Sequence, residues 1–215
     1  MSRAVSGTEF RAASGTEAWR GLYDGATTFV ATPSSDATLE LVGEILRSTQ
    51  GLGYVPDIDV RRDGVLIRSQ AGGPGLWDDD IAVAQSVAEV VSRLGLTTDP
   101  TAGQAVMITI DAHDIGAVLP FWRAVLDYEA VGEEDLVDPK GRGPQIWFQQ
   151  MDPARGGRNR IHVDVMVAPE VAQARIDAAV AAGGRVTYDA YAPSWWTLTD
   201  PEGNEADIAT WEGRG

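Results

Sequence analysis

The spacing of apolar positions predicts a helix in the middle of the first hundred residues. Apolar residues recur at helical spacing from Leu39 to Leu46, and this pattern predicts a helix that reaches about Thr49. Ser35 or Asp36 is expected to cap its first turn, because a side-chain oxygen at that position accepts a hydrogen bond from a free backbone N–H group.

Capping signals predict two further helices. Ser6 and Glu9 have the spacing of a capping box, which predicts a short helix near the start of the chain. Three aspartates at residues 78–80 precede another run of apolar positions, and Gly95 follows that run. Acidic side chains favour the first turn of a helix and glycine favours its end, so a long helix is predicted between them.

Strand patterns lie between these helices. Aromatic and β-branched residues on both sides of Asp24-Gly25 predict a hairpin, and `GVLIRSQ`, which begins at the Asp63-Gly64 turn, predicts another strand. The resulting order is α-β-β-α-β-α. This order predicts an α+β domain over residues 1–98, in which helices cover one face of an antiparallel sheet.

The rest of the chain repeats one pattern. A polar stretch with Gly and Pro predicts a linker at residues 99–104, before a second domain at residues 105–215. In that domain the strand `AVMITIDA`, the helix `IGAVLPFWRAVLDY` and further strand segments are followed by `RIHVDVMV`, `PEVAQARIDAAVAAGG` and more strand segments. The sequence therefore predicts two β-α-β-β-β modules that arose by duplication.

The duplication also pairs individual positions of the two modules. The offset between the segments that follow the two helices pairs Met107 with His162. Aligning the closing strands, `GPQIWF` and `GNEADI`, pairs Gln145 with Glu205.

Composition excludes several classes of partner. The chain of 215 residues has 32 acidic and 17 basic residues, and its formal net charge is −15. This charge repels nucleic acids and anionic membranes, so neither is expected as a partner. The absence of cysteine rules out a disulfide, a thiolate nucleophile and a cysteine zinc site. The first residues lack the apolar core of a signal peptide, so a cytoplasmic protein is expected.

The second half resembles a glyoxalase-like domain of the vicinal oxygen chelate superfamily, over nearly all of residues 105–212. The motifs that carry the resemblance are `FW` in the first helix and `DPEGNE` before the last strand. In metal-dependent members, the opening and closing strands of each module supply the ligands of a divalent metal. Carried over, these ligands become Met107, Gln145, His162 and Glu205.

This set departs from the metal pattern at one position. The thioether of Met107 is a poor ligand for the hard or borderline ions of such sites. His162 also alternates with Val163 and Val165, which is equally consistent with a structural histidine. His113 is expected to be a loop residue. We therefore expect the site to be metal-free, with a divalent metal held by His162, Glu205 and Gln145 as the alternative.

Tryptophan is concentrated in this half, at Trp122, Trp147, Trp195, Trp196 and Trp211. Trp122 lies on the predicted helix and is expected to be in the core. Trp147, Trp195 and Trp196 are expected to line a cup that binds a flat or apolar ligand.

The first half resembles the pterin-4a-carbinolamine dehydratases, over roughly residues 5–98. The resemblance rests on `WRGLYDGATTFVATPS`, `PDIDVRRDGVLIRSQ` and `GLWDDDIAVAQSVAEVV`. In that family two adjacent histidines precede the proline, and a third ends the following strand. Imidazole suits the required proton transfers because it titrates near neutral pH. Here Tyr54, Val55 and Gln70 occupy the three positions.

The remaining polar residues of this motif define a candidate pocket. Asp57 and Asp80 are the candidate proton carriers, since burial can raise the pKa of a carboxyl group towards neutrality. Tyr54, Pro56 and Gln70 are the candidate substrate-binding residues. Asp57 is also expected to act in a simpler way, by capping a turn or binding a ligand amine.

Three functions are consistent with the sequence. The first is a diverged two-domain protein, binding or catalytic, with a dehydratase-like pocket and a metal-free glyoxalase-like cup. The second is a metal-dependent lyase, isomerase or dioxygenase at His162 and Glu205. The third is a non-enzymatic protein that sequesters a ligand in its cup. Retained 4a-hydroxytetrahydrobiopterin dehydratase activity is a further alternative. Any enzyme activity is expected to be that of a lyase, on a small molecule, and both resemblances imply a homodimer.

Overall fold

The structure is a computed structural model that describes residues 2–22, 25–73, 75–100, 102–103, 105–151, 162–167 and 169–210. The chain divides into two units, Met1–Ala105 and Val106–Gly215. The predicted hairpin tip at Asp24 and the side chain of Trp211 lie outside the described residues. Within the described ranges, no helix has both the length and the apolar character needed to cross a membrane.

The first unit is built from three helices and one antiparallel sheet. Its helices are α1 (Gly7–Ala12), α2 (Ser35–Thr49) and α3 (Asp78–Leu94), and its strands are β1 (Arg20–Leu22), β2 (Gly25–Ala31), β3 (Asp57–Val60), β4 (Gly64–Ser69) and β5 (Thr97–Thr98). The strand order is β1-β2-β4-β3, and β5 pairs with β2. Every pair is antiparallel, which confirms the predicted kind of sheet.

Alternate residues of the central strands form the core of this unit. Ala26 and Val30 of β2, and Val65 and Ile67 of β4, are fully buried in one cluster with Leu41 of α2. Side chains at alternate positions of a strand point to the same face of a sheet. The helices therefore cover one face of the sheet.

The predicted caps are correct for two of the three helices. Ser6 Oγ accepts a hydrogen bond from Glu9 N at 3.1 Å, and the Glu9 carboxylate accepts one from Ser6 N at 2.8 Å, which confirms the capping box. Gly95 ends α3 in the left-handed conformation, with φ of 63°. The cap of α2 is Ser34, whose Oγ accepts a hydrogen bond from Ala37 N at 3.2 Å. The prediction of Ser35 or Asp36 was wrong, because several consecutive polar residues satisfy the same capping rule.

Two strands were not predicted. β3 lies between Pro56 and the Asp63-Gly64 turn, and its Asp57 and Asp59 resemble turn residues in the sequence. It forms because it pairs with the apolar strand β4. β5 lies just before the predicted linker and adds two residues to the edge of β2. Both strands belong to the first unit, Met1–Ala105.

The second unit contains two modules of the same order. The first consists of β6 (Met107–Ala112), α4 (Ile115–Leu126), β7 (Glu129–Val131), β8 (Asp135–Val137) and β9 (Gln145–Gln150), and the second of β10 (Val163–Met166), α5 (Pro169–Ala181), β11 (Arg185–Tyr188), β12 (Trp195–Thr199) and β13 (Glu205–Ala209). The predicted β-α-β-β-β pattern is confirmed in both.

Each module forms its own four-stranded sheet. The strand orders are β6-β9-β8-β7 and β10-β13-β12-β11. In each sheet the opening and closing strands are parallel neighbours, whereas the other pairs are antiparallel. Met107 is the ladder partner of Gln145, and Val163 is the ladder partner of Ala206. This register places the position before Val163 beside the position before Ala206, so His162 lies next to Glu205.

One face of each sheet packs on the helices. The buried cluster of this unit includes Ile146 and Phe148 of β9, Ile208 of β13, Phe121 of α4 and Ile176 of α5. Because side chains of a strand alternate between faces, the intervening residues of each strand lie on the other face. The chemistry of that second face defines the candidate site.

Candidate functional site

The face of the second sheet away from the helices carries polar and aromatic side chains. Val163 of β10, Ala206 of β13 and Leu198 of β12 pack in the helix-side core. The alternate positions lie on the opposite face, and they are His162, Asp164, Trp195, Thr197, Thr199, Glu205 and Asp207. We call this set the open face.

The register of the ladder arranges these residues in rows. Asp207 is the ladder partner of Asp164 on one side and of Thr197 on the other, so the three form one row across the sheet. His162 Nε2 lies 3.2 Å from Asp164 Oδ1 and 3.9 Å from Asp207 Oδ2. Glu205 is the ladder partner of Thr199 in the next row.

Two buried polar atoms on the open face have no hydrogen-bond partner. Within the described part of the chain, the buried side-chain atoms without a partner are Asp207 Oδ1 and Thr199 Oγ1. Asp207 is 9% exposed and Thr199 is 7% exposed. A buried polar group without a partner costs about 1–3 kcal/mol, so such a group requires an explanation.

Burial raises the pKa of the Asp207 carboxyl above its ordinary value. A hydrogen bond with Thr197 acts in the opposite direction, and the nearby charge of Asp164 raises the pKa further. Ionisation of this carboxyl group is therefore less favourable in the folded protein than in water, and a bound cation would stabilise the ionised form.

The four metal-ligand positions implied by the glyoxalase resemblance lie as two pairs of neighbours, one pair in each sheet of the second unit. Met107 lies beside Gln145, whose amide Nε2 donates a hydrogen bond to Asp135 Oδ1 at 2.6 Å. His162 is grouped instead with Asp164 and Asp207, and the candidate ligand atoms of these three residues lie within 4.8 Å of one another.

The clustered donor set fits a divalent metal better than the inherited set does. One imidazole and two carboxylates are ordinary ligands for such ions, whereas the thioether of Met107 is not. Glu205, predicted as a ligand, does not belong to this group, although it lies close enough to raise the pKa of Asp207. The sequence analysis did not identify Asp164 and Asp207 as candidate ligands. Each lies two residues after a position implied by the family resemblance, Asp164 after His162 and Asp207 after Glu205.

A group of aromatic rings adjoins the open face. The ring of Tyr191 stacks on Trp195 with centroids 4.3 Å apart and planes inclined by 15°, and Tyr188 contacts Tyr191 at 5.9 Å. Tyr188 and Tyr191 are about half exposed. Trp196 packs on the helix-side core instead, so it does not line a cup together with Trp195. Trp147 lies on the corresponding face of the first sheet, opposite Thr109 in the ladder.

The turn `DPEGNE` connects β12 to β13, the two strands that carry most of the open face. The fully buried Asp200 carboxylate accepts hydrogen bonds from Glu202 N, Asn204 N and Asn204 Nδ2, at 2.7–2.9 Å. It also accepts one from Trp122 Nε1 at 3.0 Å. The core position predicted for Trp122 is confirmed, since its exposure is 2%.

The same turn connects the two modules a second time. The Glu202 carboxylate accepts hydrogen bonds from the backbone N–H groups of His113 and Asp114, at 3.1 and 2.7 Å, at the start of α4. His113 itself is an exposed loop residue, as predicted. The motif that carried the family resemblance is therefore a structural element of the second unit.

In the first unit, the structure brings together two of the three positions where the dehydratase resemblance places histidines. Gln70 N donates a hydrogen bond to Tyr54 Oη at 3.0 Å. Burial raises the pKa of the Tyr54 hydroxyl, so this group keeps its proton at neutral pH. Val55 is exposed and Pro56 is buried.

The two candidate proton carriers of the first unit have different surroundings. Asp57 is exposed and forms an ion pair with Arg68 at 2.7 Å, next to it in the ladder. Asp80 is fully buried and accepts hydrogen bonds from Ser69 Oγ, Ala71 N and Trp77 N, at 2.6–2.9 Å. These hydrogen bonds connect the end of β4 to the start of α3, so the role of Asp80 in the first unit is structural.

Comparison with known proteins finds one family that is similar to part of the chain. Residues 107–209 match the family described as Glyoxalase-like domain. No curated protein matches the chain.

Several solved structures are similar to about half of the chain. A glyoxalase-related enzyme from Fulvimarina pelagi is 18% identical, with a TM-score of 0.40, over 50% of this chain and 87% of that chain. A glyoxalase/bleomycin resistance protein/dioxygenase family enzyme from Burkholderia phytofirmans PsJN is 21% identical, with a TM-score of 0.39, over 48% and 95%. The genomically encoded fosfomycin resistance protein FosX from Listeria monocytogenes is 12% identical, with a TM-score of 0.41, over 51% and 94%.

Proposed function

We propose that residues 107–209, which match the Glyoxalase-like domain family, form a domain of the vicinal oxygen chelate superfamily that binds a small molecule on its open face. The observation that carries the proposal is the pair of unpartnered buried atoms, Asp207 Oδ1 and Thr199 Oγ1. Both belong to one face of one sheet, and a ligand placed there supplies the missing hydrogen-bond partners.

The rings beside this face favour a ligand with a flat or apolar part. Trp195 lies on the open face and is only partly buried, while Tyr191 covers one side of its indole. Aromatic side chains provide large apolar contact at a low cost in conformational entropy. The polar row through Asp207 then orients the ligand, as a few placed polar groups do in most small-molecule sites.

A variant that separates stability from binding tests the proposal. Thr199→Val keeps the shape of the side chain and removes the unpartnered hydroxyl, so we expect the free protein to become more stable by about 1 kcal/mol. The matched control is Thr187→Val on β11, where the hydroxyl is exposed and bonded to Thr197 O at 3.3 Å. This control is expected to change stability by less than about 0.5 kcal/mol.

The ligand itself is sought by thermal shift with pterins, dicarbonyl adducts and divalent metals. A compound present at 100 times its dissociation constant stabilises the protein by about 2.7 kcal/mol. Any compound found is expected to lose affinity in Thr199→Val and in Trp195→Leu, and to keep it in Thr187→Val. The proposal fails if Thr199→Val is destabilising, or if bound compounds are unaffected by both open-face variants.

A divalent metal at His162, Asp164 and Asp207 is the second candidate, supported by the closeness of their ligand atoms. Such an ion would polarise a bound oxygen atom of the substrate. Elemental analysis of the purified protein tests this, and His162→Ala and Asp164→Asn are expected to abolish metal binding. Glu205→Gln discriminates between the two ligand sets, because it should abolish binding only if the inherited family positions hold the metal.

For the first unit, we propose a fold related to the pterin-4a-carbinolamine dehydratases. We also propose that this unit does not catalyse their reaction, because it lacks the histidines that transfer the protons. The meeting of Tyr54 and Gln70 supports a shared pocket at these positions. Purified protein is expected to show no useful turnover of a 4a-hydroxytetrahydropterin, since general acid-base catalysis contributes about 100-fold to 10,000-fold. Replacing Tyr54, Val55 and Gln70 together by histidine is expected to raise the residual rate. A wild-type rate equal to that of an intact dehydratase would refute the proposal.

Assembly and location remain proposals drawn from the same resemblances. We propose a cytoplasmic homodimer, and light scattering of the purified protein is expected to give twice the mass of the 22.9 kDa chain.

A further inference from the structure

We propose that the ligand of the open face is an organic cation, an ammonium or amidinium group attached to a flat or apolar body. This inference rests on the proposed function and adds the chemical class of the ligand. It is argued from the charges, the unpartnered carboxylate oxygen and the aromatic rings of that face.

The charges of the open face are predominantly negative. Asp164, Asp207 and Glu205 lie in two neighbouring rows, and the basic residue His162 lies close to Asp164 and Asp207. Arg185 is the ladder partner of Thr199 on the edge strand β11, and β12 separates this strand from β13. Among the residues that the structure describes, acidic groups thus outnumber basic ones around Asp207, so an anionic ligand is disfavoured there.

Asp207 Oδ1 is the group that most requires a cation. The residue is more than nine-tenths buried, and this oxygen has no hydrogen-bond partner among the described residues. A neutral ligand can donate one hydrogen bond to it. A cation also stabilises the ionised carboxylate electrostatically in surroundings of low dielectric constant, where charge-assisted hydrogen bonds are stronger than neutral ones.

The aromatic rings favour an organic cation over a metal ion as the ligand. Trp195 lies on the row next to Asp207, and a diagonal neighbour in a sheet is about 7–8 Å away. One ammonium group with an apolar substituent therefore spans from the carboxylate to the indole. The faces of Trp and Tyr rings attract cations, and they also cover the apolar carbons of the ligand. A hydrated metal ion makes no use of these rings.

The proposal is tested with three probes that share one benzyl or phenyl group and differ in charge. Benzylammonium is cationic and carries N–H donors, benzyl alcohol is neutral and benzoate is anionic. Binding is measured by isothermal titration calorimetry on the full chain, in a buffer that contains EDTA so that metal ions do not contribute. We expect the ammonium probe to bind about tenfold or more tightly than benzyl alcohol, and benzoate to bind more weakly than both.

Two variants with the same change in charge locate the effect. Asp207→Asn is expected to reduce the affinity for benzylammonium about tenfold. Asp177→Asn is the matched control, because Asp177 is exposed on α5, on the helix side of the sheet. It is expected to leave the affinity unchanged. Raising the salt concentration is expected to weaken ammonium binding in the unmodified protein, since screening acts on charge.

Failure of this inference is distinguishable from failure of the proposed function. If benzyl alcohol binds as tightly as the ammonium probe, and Trp195→Leu weakens both while Asp207→Asn weakens neither, the open face binds small molecules without selecting cations. The inference is then overturned and the proposed function stands. If none of the three probes and no screened compound binds at the open face, both are overturned.

Discussion

Asp200 is expected to be the residue on which the stability of the second unit depends most strongly. It is fully buried, and its carboxylate accepts four hydrogen bonds, of which one comes from the indole of Trp122 on α4. The perturbation is Asp200→Ala, which removes all four acceptor contacts. The backbone N–H groups of the turn and the buried indole N–H then lose their partner.

The size of the effect follows from these contacts. A hydrogen bond to a charged group contributes about 1.5–3 kcal/mol, but contacts to one carboxylate are not additive. We therefore expect Asp200→Ala to cost about 3–5 kcal/mol. Trp122→Phe removes one donor and leaves the turn intact, so its expected cost is about 1–2 kcal/mol.

The chain contains a matched control for this change. In the turn of the first module, Asp138 accepts hydrogen bonds from Lys140 N, Arg142 N and Gly143 N, each at 2.8 Å. This turn is exposed, so water can replace the lost acceptor. We expect Asp138→Ala to cost about 1 kcal/mol.

Hydrogen exchange followed by mass spectrometry measures the effect separately for each unit. Peptides from residues 106–210 report on the second unit, and those from residues 2–100 report on the first. Asp200→Ala is expected to lower protection throughout the second unit and to leave the first unchanged. Equal losses in Asp200→Ala and Asp138→Ala would show that the buried contact to Trp122 contributes nothing beyond the turn, and the reasoning would be wrong.

Three further predictions follow from other contacts. Asp80→Ala is expected to destabilise the first unit by about 3 kcal/mol in urea denaturation, because one buried and two partly buried donors lose their acceptor; a loss below about 1 kcal/mol would contradict this structural role. The pKa of Asp207 is raised in the folded protein, so the folded state binds the proton more tightly and the wild type loses stability as pH rises through that pKa. Asp207→Asn lacks this loss, so urea denaturation should find it more stable than wild type near pH 7 but not below about pH 3, where both side chains are neutral; a variant less stable at both pH values would refute this. Cleavage within the predicted linker at residues 99–104 is expected to release two fragments that keep their circular dichroism, whereas unfolding of both would indicate one shared core.

Periodicity in the sequence was sufficient to predict the regular elements of both units. The helix before Gly95 and the two β-α-β-β-β modules are confirmed because their apolar spacing and their packing agree. Strand β3 was missed because its own residues favour a turn, and only pairing with β4 makes it a strand. The conformation of such a segment depends on the strand it pairs with, and the residues of the segment alone do not reveal that pairing.

The candidate site was predictable only in part, for a geometric reason. Trp195 and Trp196 are adjacent in the sequence and were expected to work together, but neighbours on a strand point to opposite faces, and Trp196 packs in the core. His162 was identified from its family position. Asp207 was missed because a carboxylate in a strand carries no local signal of burial. Its unpartnered oxygen is visible only when the whole sheet is assembled.

The bond between Trp122 and Asp200 shows how far the duplicated halves have lost their equivalence. The offset that aligns the modules places Asp177 at the position of Trp122, and Asp177 is exposed on α5. The second module therefore has no indole at the position that would donate a hydrogen bond to Asp138. The first module donates such a bond to Asp200 of the second module, and the equivalent bond in the opposite direction is not made. A half-chain that carried both residues and paired with its own copy about a two-fold axis would make this contact twice, whereas this chain makes it once.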